Sequence, residues 1–201
     1  MSYASAEHDR MIAAMLMPCV VVGVDLAAPA VRVSNGEWTS AWVRWHSLAA
    51  GKARHWRAPT LGEQGVLFNP SGQTGMGTFI AGLYGNAGAQ PDNRDHVEVW
   101  RFDDGGSLVY DWEAKTYTIT LPTGTVTIQV GSSVVAVTDN AVSAKVGGTE
   151  ATLTPDSLTV KTAAIKLVAA VEIDGTLHVT QNVTSDASII DVTGNSNHHS
   201  H

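Results

Sequence analysis

The chain has 201 residues, 44% of them hydrophobic, which is enough for one large or two small domains with a buried core. Its 12 basic side chains against 19 acidic ones, a net charge of −7, disfavour a nucleic-acid partner. The single cysteine, Cys19, excludes an internal disulfide, and we expect it to be a small buried apolar residue. No run approaches the roughly 20 apolar residues of a membrane helix, and the start of the chain does not resemble a signal peptide, so we expect a soluble protein.

The first segment, residues 1–17, contains an amphipathic stretch from Ala6 to Met17 with apolar residues at helical spacing. Five strand-like runs follow, and a long connection separates the third from the fourth. Together they predict a small Greek-key barrel of the OB type over residues 18–88. The five runs are Val20–Leu26, Val31–Ser34, Thr39–Trp45, Gly65–Asn69 and Thr78–Leu83.

Residues 89–117 are predicted to form a linker and a β-hairpin. Two alternating runs, HVEVWRF and SLVYDW, flank the turn sequence Asp103-Asp104-Gly105-Gly106. An Asp/Gly-rich turn between two alternating runs is a strong hairpin signal.

The composition changes after Tyr117, because every Trp, Phe and Tyr of the chain lies at or before that residue. The remainder is dominated by alternating Val, Ile and Thr, including an alternation from Ile165 to Ile173. Turn signals at Asp139-Asn140, Gly147-Gly148 and Pro155-Asp156 fall eight residues apart. Regular turns between short strands indicate a β-solenoid or an equivalent repeat.

One chain closes such a repeat poorly, because the inward residues are small and the sheet edges would be exposed along its whole length. Three chains wound about one axis remove both problems. We therefore predict an all-β protein: an N-terminal OB-fold barrel followed by a C-terminal trimeric intertwined β-helix needle over residues 118–197.

The tip, residues 198–201, ends in two histidines two positions apart. On an extended strand His199 and His201 project to one side, while His198 faces away. Three chains would present six imidazoles in two layers, an octahedral set that suits iron, nickel or cobalt better than zinc. A disordered end or the remnant of a purification tag is the alternative interpretation.

The order of these parts resembles the baseplate spike proteins, or baseplate assembly protein V, of contractile-tailed phages and R-type pyocins. The resemblance rests on the barrel segment WVRWHSLAAGKARHWRAPTLGEQGVLF, the link IAGLYGN, the hairpin VWRFDDGGSLVYDW, the aromatic-free repeat and the C-terminal His-x-His. It covers nearly the whole chain.

This resemblance implies a non-enzymatic, trimeric, membrane-piercing spike at the tip of a contractile tail. Its barrel collar would dock on a baseplate hub protein, and its needle would puncture the bacterial outer membrane. It implies one iron ion per trimer, bound by His199 and His201 of each chain. The protein would be made in the bacterial host cytoplasm and would reside in a virion baseplate or a phage-tail-like particle. It also implies a few residues beyond the His-x-His that fold over the apex, whereas this sequence stops at His201.

Three alternative hypotheses use other residues. An interleaved basic and aromatic patch from Arg44 to Arg57 could bind single-stranded nucleic acid, but the net acidity opposes this. We expect instead that its tryptophans pack the barrel and the trimer interface and that its arginines pair across chains or with the hub. Asp103, Asp104 and Asp111 could serve glycosidic cleavage, but turn chemistry explains the first two better. A trimeric OB-fold adaptor whose stem carries a separate tip-cap or receptor-binding protein is the second candidate function. His8, His46, His55, His96 and His178 have no sequence partner at metal or catalytic spacing.

Overall fold

A computed structural model describes residues 3–187 of the chain. The chain divides after Pro122 into two compact units. The described residues form thirteen strands, one short α-helix and two 3-10 turns, which agrees with the predicted all-β class. No helix among residues 3–187 is long and apolar enough to cross a membrane.

The N-terminal helix α1 is Tyr3–Ala13, and it has no buried residue. The amphipathic pattern predicts a helix through Met17, but β1 already begins at Leu16 and spans Leu16–Asp25. The reason is long-range pairing, because Leu16 and Met17 lie opposite Phe68 and Leu67 of the barrel. The turn between α1 and β1 is held by Asn69, whose Nδ2 donates to the Ala14 carbonyl at 2.8 Å.

The predicted small barrel is present, and it is closed in the order β1-β2-β3-β5-β4, with β3 and β5 parallel. The third strand is shorter than predicted, since only an isolated bridge between Ser34 and Thr39 precedes it. The long connection between β3 and β4 has the predicted position. The remaining barrel strands are β2 (Ala30–Ser34), β3 (Val43–Trp45), β4 (Gln64–Phe68) and β5 (Thr78–Leu83).

The barrel interior is a cluster of buried apolar side chains: Cys19, Val21, Val31, Val33, Val43, Leu67 and Phe79. Cys19 is therefore the buried apolar residue that the sequence predicts, and burial raises the pKa of its thiol. Gly65 packs so closely on this core that a Cβ there would collide with the Ile80 carbonyl and the Phe79 ring. The close approach of β4 to β5 thus depends on this glycine.

A three-stranded antiparallel sheet completes the first unit. It comprises β6 (Val97–Arg101), β7 (Ser107–Asp111) and β8 (Thr116–Thr120). The predicted hairpin turn is confirmed, since the Phe102 N–H donates to the Gly106 carbonyl at 2.8 Å. Asp104 Oδ1 accepts from the Gly106 N–H at 2.9 Å, and Gly105 has a φ of 87°. These are the properties for which Asp and Gly are favoured in turns.

The second unit contains a five-stranded antiparallel meander in the order β13-β12-β11-β10-β9. All three predicted turns lie between consecutive strands. Gly131 and Gly147 have positive φ values of 57° and 58°, each at the first position of a two-residue hairpin loop. The strands are β9 (Thr125–Val130), β10 (Ser133–Thr138), β11 (Val142–Val146), β12 (Thr149–Leu153) and β13 (Leu158–Lys161).

From Thr162 to Ala187 the described chain forms no strand. The alternation from Ile165 to Ile173 predicts a strand, and within the described residues this segment has no strand partner. After Lys161 the residues still alternate as in a strand, but the described chain forms no strand pairs there.

Candidate assembly surfaces

One side of the meander is almost entirely apolar. In its register, Ile128 lies opposite Val135, Val135 opposite Ala144, Ala144 opposite Ala151 and Ala151 opposite Val160. Residues that lie directly opposite each other in a sheet point to the same side, so this row crosses all five strands on one side.

A second apolar row and a shorter third row run parallel to the first, and we name the whole surface the apolar face. Only Ser133 and Thr149, both in the third row, interrupt it. The apolar face is open in the single chain, since Ile128, Val130 and Leu158 are 65%, 77% and 67% exposed. An apolar surface of this extent marks an interaction site. Its members are Val126, Ile128, Val130, Val135, Val137, Val142, Ala144, Val146, Ala151, Leu153, Leu158 and Val160.

The other side of the same sheet is mainly polar, with threonines on β9, β12 and β13. Glu150 lies opposite both Lys145 and Lys161, so a column of alternating charge crosses three strands. Opposite charges at facing positions favour this register. The sheet therefore has one side suited to water and one suited to burial.

The three-stranded sheet of the first unit presents an aromatic face. Glu98, Tyr110 and Tyr117 form one row across it. Trp100, Leu108 and Ile119 form the next row, and the two rows border a groove of about 510 Å³. The Trp100 Nε1–H donates to Glu98 Oε1 at 3.0 Å, and the Tyr110 and Tyr117 rings lie 6.3 Å apart. Exposed Tyr and Trp side chains of this kind are typical of protein interfaces.

An ionic cluster ties the linker to the end of β7. Asp111 is 8% exposed. It accepts from Arg94 Nη1 at 3.2 Å and from the N–H groups of Glu113 and Ala114 at 3.1 and 2.9 Å. Arg94 also donates to Asp92, and this hydrogen bond holds the pKa of Asp92 well below its usual range. The cluster fixes the path of the chain into the hairpin.

His96 belongs to the same cluster, although the sequence places no partner for it at metal or catalytic spacing. Its Nδ1 lies 3.2 Å from both Asp95 Oδ1 and Glu113 Oε2, and its Nε2 lies 3.8 Å from Asp111 Oδ2. Sequence spacing misses this contact because Asp111 and Glu113 reach His96 only when the hairpin closes.

The basic and aromatic patch is drawn into internal contacts. Trp45 packs against the barrel core and meets the Trp56 ring edge-on at 5.4 Å. Arg57 Nη1 and Nη2 each donate to Glu63 Oε1 at 3.0 Å, so this arginine pairs within its own chain, where we expected pairs across chains or with the hub. His55 lies 5.9 Å from the Trp100 ring. These side chains brace the long barrel connection.

Two of the candidate catalytic carboxylates accept hydrogen bonds that stabilise the hairpin and its neighbouring turn. Asp104 is a hairpin-turn acceptor, and Asp111 accepts hydrogen bonds from backbone and Arg94. Asp103 shares the turn with Asp104. This arrangement matches the turn chemistry expected for Asp103 and Asp104.

The predicted metal ligands His199 and His201 lie outside the described residues. Within residues 3–187 no group of three or more His, Cys, Asp or Glu side chains is placed to hold a metal ion. The fit of a metal at the tip therefore rests on the donor set alone, since two imidazoles per chain suit a borderline transition metal.

Two parts of the chain match known protein families. Residues 17–84, which contain the barrel, match the family described as "Type VI secretion system/phage-baseplate injector OB domain". Residues 98–151, which begin in the three-stranded sheet and end in the meander, match "Gp138, beta helical trimerization domain". The chain thus combines an injector-type OB domain with a β-helical trimerization domain, and the resemblance to baseplate spike proteins is confirmed.

A particular relative agrees with this class. The chain is 29% identical over 114 residues to the spike protein of Escherichia phage P2. The match covers 56% of this chain and 54% of that protein.

Proposed function

We propose that this chain forms a homotrimeric, non-enzymatic spike at the tip of a contractile tail, and that it pierces the bacterial outer membrane when the sheath contracts. The observation that carries the proposal is the open apolar face of the meander. Its row from Ile128 to Val160 leaves large side chains in water in a single chain. Three such faces turned toward one axis bury each other and form a shared core.

The type of domain supports three copies over other numbers. The meander overlaps the stretch that matches a β-helical trimerization family. The strands of the meander pair with each other within one chain, so the apolar face supplies the contact between chains. A stem built this way resists axial load, because many backbone hydrogen bonds share the force.

The charged column on the other side suits the outer surface of such a stem. Lys145, Glu150 and Lys161 are exposed there, so the outside of the trimer stays hydrated. A spike with a hydrated polar surface and a buried apolar core passes through a membrane as a rigid body and does not insert into it.

The barrel supports docking on the baseplate. It matches an injector OB domain, and its partner in this proposal is a baseplate hub protein. Location in the tail of a virion or phage-tail-like particle, and synthesis in the bacterial host cytoplasm, are part of the same proposal. A separate tip-cap protein remains a prediction from the sequence.

The tip is proposed to hold one iron ion per trimer through His199 and His201 of each chain. The ion would supply a saturated cross-link among three chain ends, where structure otherwise frays. Its role would be structural, because six protein ligands leave no open position for substrate.

The test of piercing compares tail particles that carry the native chain before and after the sheath contracts. Target cells contain a periplasmic β-lactamase, and hydrolysis of an impermeant chromogenic β-lactam reports outer-membrane rupture. Contracted particles are expected to trigger hydrolysis, and particles held in the extended state are not. Equal hydrolysis in the two states would show that the stem does not pierce the membrane.

A further inference from the structure

Residues 165–183, which we name the stem segment, alternate in a single phase. Every odd-numbered position is apolar or glycine except the one occupied by Gln181. The odd positions are Ile165, Leu167, Ala169, Val171, Ile173, Gly175, Leu177, Val179, Gln181 and Val183. The even positions carry most of the polar groups, including Lys166, Glu172, Asp174, His178 and Asn182. As a strand, the segment has one apolar side on which Gln181 is the single polar side chain.

The stem segment lacks strand partners within the described chain, and its apolar side is open. Leu167, Leu177 and Val183 are 67%, 64% and 61% exposed. The phase also changes before it begins, since the apolar residues of β13, Leu158 and Val160, are even-numbered. The stem segment therefore does not prolong β13 as a straight strand. Its backbone groups need strand partners that residues 3–187 do not supply.

Other copies of the stem segment can supply these backbone partners and cover its apolar side. This step rests on the proposed trimer. Copies related by a three-fold axis run in the same direction and bring the same residue to the same height. Their odd-numbered side chains then meet in a continuous apolar core, and the even-numbered ones face water.

Apolar alternation alone does not select one register. A slip of two residues places one apolar residue or glycine opposite another on the same side, so slipped and unslipped pairings both bury apolar surface. Gln181 breaks this degeneracy. We infer that Gln181 sets the register of the three chains in the stem.

In register, the three carboxamides reach the axis at one height, where each NH₂ donates to the oxygen of the next. A slip of two residues opposes a carboxamide to Val179 or Val183 and leaves its polar atoms unpaired in the core. Each unpaired buried group costs about 1–3 kcal/mol. Single polar residues at core positions specify register in coiled coils by the same principle.

The experiment compares the full-length native protein with Gln181→Leu and with Asn182→Leu. The control makes a similar amide-to-leucine change one residue away on the water-facing side. Mass in solution reports the trimer, and methyl NMR of Val179 and Val183 reports register. A symmetric trimer gives one signal set per methyl group, and a slipped chain makes the copies inequivalent. Hydrogen exchange of side-chain NH₂ groups reports burial.

We expect one signal set in the native protein and in Asn182→Leu, and several sets in Gln181→Leu. The Gln181 NH₂ protons should exchange more slowly than those of Asn182. A trimeric Gln181→Leu with a single signal set would overturn the register role while leaving the trimer standing. A monomeric native protein would overturn the proposed function and this inference together.

Discussion

Ile128 of β9 lies directly opposite Val135 of β10, and both side chains are exposed, at 65% and 42%. This pair opens the row that crosses the whole meander on its apolar side. Facing aliphatic side chains in contact with water are costly in an isolated chain, and the cost is removed when another apolar face covers them.

A charge on the apolar face should block assembly. Ile128→Asp would bury a carboxylate among aliphatic side chains in the trimer, so we expect monomers in sedimentation. Thr127→Asp is the matched control, because Thr127 is adjacent and lies on the polar side. Trimers of Ile128→Asp as stable as the native ones would show that this face is not the interface.

Gly65 should be irreplaceable in the barrel. Gly65→Ala places a methyl group against the Ile80 carbonyl and the Phe79 ring, so we expect a loss of about 1–3 kcal/mol in the free energy of unfolding. Gly51→Ala is the control, since a Cβ there meets nothing within 4 Å. Chemical denaturation followed by tryptophan fluorescence measures both. Equal midpoints for the two variants would contradict the close packing of β4 on β5.

The Arg57–Glu63 pair should stabilise the long barrel connection. Glu63 is 7% exposed and also accepts from the Thr60 N–H at 3.0 Å. Arg57→Ala removes hydrogen-bond donors from this buried carboxylate, and we expect a loss of about 1–3 kcal/mol in the free energy of unfolding. The exposed Arg54, changed to Ala, controls for loss of charge. If both variants denature at the native midpoint, the pair contributes nothing to stability.

Arg94 should stabilise the linker in a pH-dependent way. The pKa of Asp92 is lowered by its hydrogen bond to Arg94, so the stabilisation is fully present above the ordinary Asp pKa of about 3.9. It is lost as pH falls through the lowered pKa. In thermal denaturation, the midpoint temperature of Arg94→Ala should be lower than that of the native protein at neutral pH. The difference between the two midpoints should narrow in acid. A gap that does not depend on pH would exclude this origin.

The tip histidines should bind the metal. His199→Ala combined with His201→Ala is expected to abolish bound iron while the trimer persists, as measured by elemental analysis and mass in solution. His198→Ala should retain iron, because His198 faces away on an extended strand. Full iron occupancy in the double variant would mean that the metal is bound elsewhere.

The barrel was predictable because its strands are short strand-like runs with turn signals between them. The end of α1 was not, since the pairing of Leu16 with Phe68 joins residues far apart in sequence and overrides local helical spacing. His96 gains its partners in the same way, through closure of the hairpin.

In the meander, alternation predicted which side of each strand is apolar, and turn residues predicted where strands end. Neither alternation nor turn residues show which strand pairs with which. Val142 and Leu153 lie opposite each other within one chain, although the same pattern allows pairing between chains. The tip histidines were identified by spacing alone, and no described contact bears on them.

Three copies that share one apolar core form a trimer, and mass in solution tests for this trimer most directly. Native mass spectrometry or analytical ultracentrifugation of this chain should give three times the 21.2 kDa of one chain, independent of concentration across the micromolar range. A species of 21.2 kDa under the same conditions would show that the chain is a monomer and that the apolar face is not shared.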